Sequence, residues 1–234
     1  MATGRHVRSL QTLRSAGEPA QRREQPDRQL WAYYQHALAG LLFVIAAWNL
    51  LHTEVLKHPP GQIAPREPIQ IMLDNARAFT VGTATLQPRA KFQLEARVLS
   101  RERYWLGDRA KLMPIDIAFG WAQMSDTALL DKLSISQGMR FYYWQYAGPA
   151  PAAHEVIIRS SANMHLIPAT PEVLETLLAA RVGDVVRLEG DLVDVQGNGW
   201  ESKTSLTRVD SGNGACETVY VRAVTIRPIS RPPW

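Results

Sequence analysis

The chain of 234 residues carries 26 Lys+Arg against 22 Asp+Glu, for a net charge of +4, and has a single cysteine. Six arginines but only three acids precede Trp31, so the rest is nearly neutral and offers no basic face to nucleic acid. One thiol excludes an intramolecular disulfide, and a folded domain must therefore rest on its apolar core.

In chain order, residues 1–28 are polar and arginine-rich, the composition of a disordered tail. Residues 29–53 hold no formal charge, and ALAGLLFVIAAWNLL occupies 37–51. A helix rises about 1.5 Å per residue, so about 20 such residues cross a bilayer. Trp31, Tyr33 and Tyr34 at one end and Trp48 at the other suit the headgroup level. The expectation is a single-pass anchor in a lipid bilayer. The arginines would hold the N-terminus in the cytoplasm and send the C-terminal domain across the membrane. The competing readings are a cleaved leader, with Ala46-Ala47 as its weak cleavage site, a buried helix diluted by Gln35, His36 and Asn49, and one span of a larger bundle, for which no second run of comparable length exists.

Residues 54–68 include Pro59, Pro60, Pro65 and Pro68 and read as a semi-rigid spacer. From 69 to 227 the chain reads as mainly β, an α+β domain, and 228–234 as a short tail. Phe92, Leu94, Ala96 and Val98 alternate with polar residues, as in a strand with one wet face. The aromatic run 139–146 and the apolar run HEVIIR at 154–159 extend the strand pattern. Residues 185–195 shift phase near Gly190, which predicts a bulge or bend there. QGNG at 196–199 and DSGNG at 210–214 are turns, and 218–226 is a closing strand. Thr170-Pro171 starts a helix that Gly183 ends, and Ser125 or Asp126 caps a shorter one. Strands with one or two helices predict a small OB-like β-barrel, or else a sandwich.

Catalytic candidates are few. His165, Cys216 and Asp210 supply the residue types of a base, a thiol nucleophile and an orienting acid. Nothing in their spacing brings them together, and Cys216, beside an apolar strand, is expected to be packed and inert. Asp116 stands inside the apolar run PIDIA and needs a partner, with Arg103, Arg109 and Arg140 available. Trp144 in its aromatic run suits a sugar or peptide groove, and Asn163 and Arg208 complete the ligand-binding candidates. The scattered histidines form no metal-ligand pair, and no cofactor motif is present.

The blocks LSRERYWLGDRAKLMPIDIAFGWAQMSD, SANMHLIPA, VGDVVRLEGDLVDV and SLTRVDSGNGACE resemble an uncharacterised bacterial family of single-pass membrane-anchored proteins with a β-rich exported domain. That resemblance implies a bacterial source, hence an anchor in the inner membrane and one globular domain in the periplasm, and it brings no activity. The functional expectation is a membrane-anchored module that binds a protein or envelope ligand outside the cytoplasm. The alternative is a Cys/His-dependent hydrolase or transferase acting at the envelope.

Overall fold

The computed structural model of the chain describes residues 28–52, 55–212 and 214–227, in two compact units, 1–52 and 53–234. The expected tails at 1–27 and 228–234, and Asn213 of the second turn, lie outside the described residues.

In the first unit, α1 (Arg28–His52) is a continuous 25-residue helix rich in Ala and Leu, which lose little freedom on coiling. Leu38, Leu41, Leu42, Phe43 and Val44 are all exposed along it. Among the described residues, however, no helix is long and apolar enough to cross a membrane. Gln35, His36 and Gly40 interrupt its apolar run.

The second unit is mainly β, with strands β1 (Ile69–Met72), β2 (Phe79–Val81), β3 (Ala84–Arg103), β4 (Ile115–Gly120), β5 (Ser134–Gly138), β6 (Phe141–Gln145), β7 (Ser161–Pro168), β8 (Val185–Gly197), β9 (Trp200–Ser202) and β10 (Glu217–Ile226). Its helices are α2 (Asp108–Leu112), α3 (Thr127–Leu130), α4 (His154–Arg159) and α5 (Pro171–Ala179). The large sheet runs β1-β3-β4-β7-β10-β8-β9, and β3 also pairs with β8. The hydrogen-bonded path β3-β4-β7-β10-β8 therefore returns to its start. All these pairings are antiparallel except that of β7 with β10, which is parallel.

β3 makes this path possible because it serves two neighbours. Residues 85–97 pair with β8 and residues 97–103 with β4, with register shifts between Pro88 and Ala90 and between Val98 and Ser100. The bend expected at Gly190 is instead taken up by the opposing strand, where β10 shifts register between Val221 and Ala223. Gly190 is needed for close approach, since a Cβ there would lie 2.1 Å from the Tyr220 carbonyl oxygen.

The inner face carries Phe92 and Leu94 of β3, Ile115, Ile117 and Phe119 of β4, and Met164 and Leu166 of β7. Val173 and Leu177 of α5 pack against the same core. Thr170 caps α5 by accepting the Val173 amide at 3.3 Å, and Pro171 follows at the first turn.

Two local expectations change. Residues 154–159 form the helix α4 and not a strand; Glu155 in its first turn and Arg159 in its last complement the helix dipole. The proline-rich stretch is no free spacer but lies along the domain. The Leu56 amide bonds the Val182 carbonyl at 2.9 Å, Gly61 the Asp126 carboxylate at 2.8 Å, and Ala64 the Ser125 hydroxyl at 3.1 Å. Proline leaves few donors, and those that remain are used here.

Candidate functional site

Strand alternation decides which side chains reach the site. On β4, Ile115, Ile117 and Phe119 enter the core, which turns Asp116 and Ala118 to the other face. On β7, Met164 and Leu166 enter the core and Asn163 and His165 do not. The β4–β7 register then sets Asp116 opposite His165 and Ala118 opposite Asn163. The parallel neighbour β10 begins at Glu217 beside Met164, so Cys216 arrives at the edge of the same patch.

The β5–β6 hairpin covers this patch through polar contacts. Gln137 donates to Asn163 Oδ1 at 2.7 Å, and Asn163 Nδ2 donates to the Arg140 carbonyl at 2.9 Å. The guanidinium of Arg140 reaches Asp116 Oδ1 at 3.0 Å and the Met113 carbonyl at 3.1 Å. Tyr104 lies under that guanidinium, 4.0 Å from ring centre to Cζ, and its hydroxyl accepts the Arg140 amide at 3.0 Å. Burial, reinforced by the Asp116 charge, holds the Tyr104 phenol well above its usual range.

Asp116 is completely buried, and its second oxygen lies 2.9 Å from His165 Nδ1. That approach lies off the ring N–H direction, leaving both atoms without a well-directed hydrogen bond; the contact is a close ion pair. Burial pulls the His165 imidazole down, but the close Asp116 carboxylate, with Cys216, prevails and pushes it up to about 9.

Cys216 is half-buried among polar groups, not packed into the apolar core as expected. Its Sγ accepts from Asn163 Nδ2 at 3.6 Å, and its S–H donates to the Arg140 carbonyl at 3.8 Å. It also lines a cavity of about 280 Å³, with Tyr142, Trp144, Asn163, Arg208 and Glu217 among the walls. Asp116 and His165 are not wall residues; Asp116 is joined to the wall residue Asn163 through Arg140.

The other candidates take up different positions. Asp210 lines the cavity but accepts the Ser205 hydroxyl at 2.7 Å, and Asp116, not Asp210, attends His165. Arg208 pairs with Glu217 at 2.9 Å and bonds Gln70 at 2.8 Å. Trp144 stacks on Tyr146 with centroids 6.2 Å apart. Tyr142 bonds Ser161, and burial pushes its phenol up to about 12.

Sequence reasoning did not single out Tyr104, Gln137 or Glu217. Glu217, an acid heading an apolar strand, was open to the same inference as Asp116. Tyr104 and Gln137 carry no such signal, since their roles arise from the hairpin's placement. Among the described residues no three His, Cys, Asp or Glu side chains converge as a metal site.

The arrangement gathers a cavity-lining thiol, an imidazole and a buried carboxylate on one sheet face, the residue types used in covalent catalysis by cysteine. No family model, curated protein or solved structure matches the chain.

Proposed function

We propose that the domain is a small closed OB-like barrel whose ligand face has become a covered cavity for thiol chemistry. The returning strand path, the parallel β7–β10 contact and the placement of α5 between β7 and β8 support the barrel. The second and third strands of such a barrel form its usual binding face, and here these are β4 and β7.

One observation carries the chemistry: the parallel β7–β10 register brings the cavity-lining Cys216 to the sheet face that carries His165, whose Nδ1 lies 2.9 Å from Asp116. In the reacting form the thiol proton rests on His165, and Asp116 orients and stabilises the imidazolium. The thiolate attacks the carbonyl carbon of an acyl substrate, and an S–C bond forms. His165 gives its proton to the departing amine or alcohol as the acyl carbon's C–N or C–O bond to it breaks. Water, or an acceptor nucleophile, then cleaves the thioester while His165 takes back a proton, giving a hydrolase or a transferase.

The single cysteine makes the test clean. Alkylation by iodoacetamide at pH 7, followed by mass spectrometry, should be fast and should fall about tenfold or more in His165→Ala, because the imidazolium that stabilises the thiolate is lost. A thiol that reacts slowly and ignores His165→Ala overturns the reading.

Non-covalent binding of an envelope ligand is the second reading, favoured by the aromatic wall of Tyr142 and Trp144 and the Trp144–Tyr146 stack. Under that reading Cys216→Ala leaves function intact. Anchoring at a bacterial inner membrane through residues 29–53 rests on the uncharged run and its arginine-rich lead, with support from the exposed apolar side chains of α1. A periplasm-active reporter fused after Ile226 should be active, and activity of a cytoplasmic reporter at that point would refute this placement.

A further inference from the structure

The turn joining β5 to β6 is two residues long, Met139 and Arg140, and both hold positive φ, 50° and 68°. Such a turn normally takes Asn-Gly, because a side chain there crowds the backbone. Two successive non-glycine residues in this region are strained and persist only where the surroundings over-determine them. The surroundings here are the thiol site. From this one residue the side chain binds Asp116 and the Met113 carbonyl, the amide binds Tyr104, and the carbonyl receives Asn163 and faces Cys216.

We propose that Arg140 is a positioning residue for the thiol site: its guanidinium fixes the Asp116 carboxylate so that the free oxygen meets His165, while its strained carbonyl sets Asn163 and the Cys216 thiol. The inference rests on Cys216 acting as the nucleophile. Two geometric facts support it. Asp116 divides its oxygens, one to Arg140 and one to His165, so the imidazole's partner is oriented from the hairpin side. Arg140 also has no carboxylate partner besides Asp116 among the described residues, so the pair holds the hairpin to the sheet and the site together. An arginine suits this place because its planar fork meets a carboxylate and a backbone carbonyl at once, which an ammonium point charge does less well.

The test uses the full chain, its one thiol and iodoacetamide at pH 7, with a thermal melt to confirm folding. Arg140→Ala should slow alkylation about tenfold or more in a protein that still melts cooperatively, and Arg140→Lys should recover much of the loss. Asp116→Asn should slow it similarly, and adding Arg140→Ala to Asp116→Asn should change nothing further, because the first acts through the second. Wild-type reactivity in Arg140→Ala, or losses that multiply in the double variant, overturns the inference. Should Arg140→Ala fail to fold, Arg140→Gln and Arg140→Lys decide: slow with Gln and fast with Lys supports it, and equal rates overturn it. A thiol that ignores His165→Ala defeats the nucleophile reading itself. A thiol that needs His165 but not Arg140 defeats only the role given to Arg140.

Discussion

Glu217→Gln should flatten an unusual pH dependence of stability. Glu217 is 1% exposed; one oxygen meets Arg208 at 2.9 Å and the other has no hydrogen-bond partner. Burial pushes its carboxyl up from 4.5 to about 8, against the opposing pull of Arg208. A group raised in the folded state lends stability below its unfolded value and loses it as pH rises through the folded one. The window is therefore pH 4.5 to 8, with stability falling as the pH rises. The span between those two values, at about 1.4 kcal/mol per pH unit, comes to on the order of 5 kcal/mol. That is a large share of the about 5–15 kcal/mol that holds a domain. His165, raised from 6.5 to about 9, acts with the same sign, so the loss should be steepest between pH 6.5 and 8. Urea melts from pH 5 to 9 measure this directly. The wild type should weaken across the range, and Glu217→Gln should keep only the His165 portion, above pH 6.5. A wild type that gains stability between pH 5 and 7, or a variant with an unchanged slope, would refute the burial argument.

Other outcomes follow from single contacts. Gly190→Ala should destabilise by about 2–3 kcal/mol in a denaturant melt, because its Cβ would meet the Tyr220 carbonyl at 2.1 Å. Thr170→Ala removes the cap of α5 and should cost about 1 kcal/mol by the same measurement. Ile117→Ala opens a hole in the completely buried face of β4 and should cost about 2–5 kcal/mol.

The elements that the sequence made legible are those governed by local pattern. Phe92, Leu94 and Ala96 face inward on β3 as their alternation predicts, and Thr170-Pro171 begins α5. The ion partner of Asp116 is Arg140, one of three arginines that the sequence offered. What stayed hidden depends on long-range registration. His165 and Cys216 come together because β7 and β10 lie parallel, and no spacing rule announces that. The folded-back stretch 56–64 was equally hidden, since proline density marks a stiff segment but does not say where it rests.

The double pairing of β3 has a consequence for synthesis. Lys91 pairs with Asp191, one hundred positions further along, so β3 emerges long before β8 exists to complete it. Closing so large a loop precedes any reward from the contact, which makes folding slow and late. Until then Phe92, Leu94 and Ala96 stand on an unfinished edge, the kind of surface through which nascent chains associate. A chain that stops short of Val185 is thus an aggregation-prone fragment and not a smaller domain.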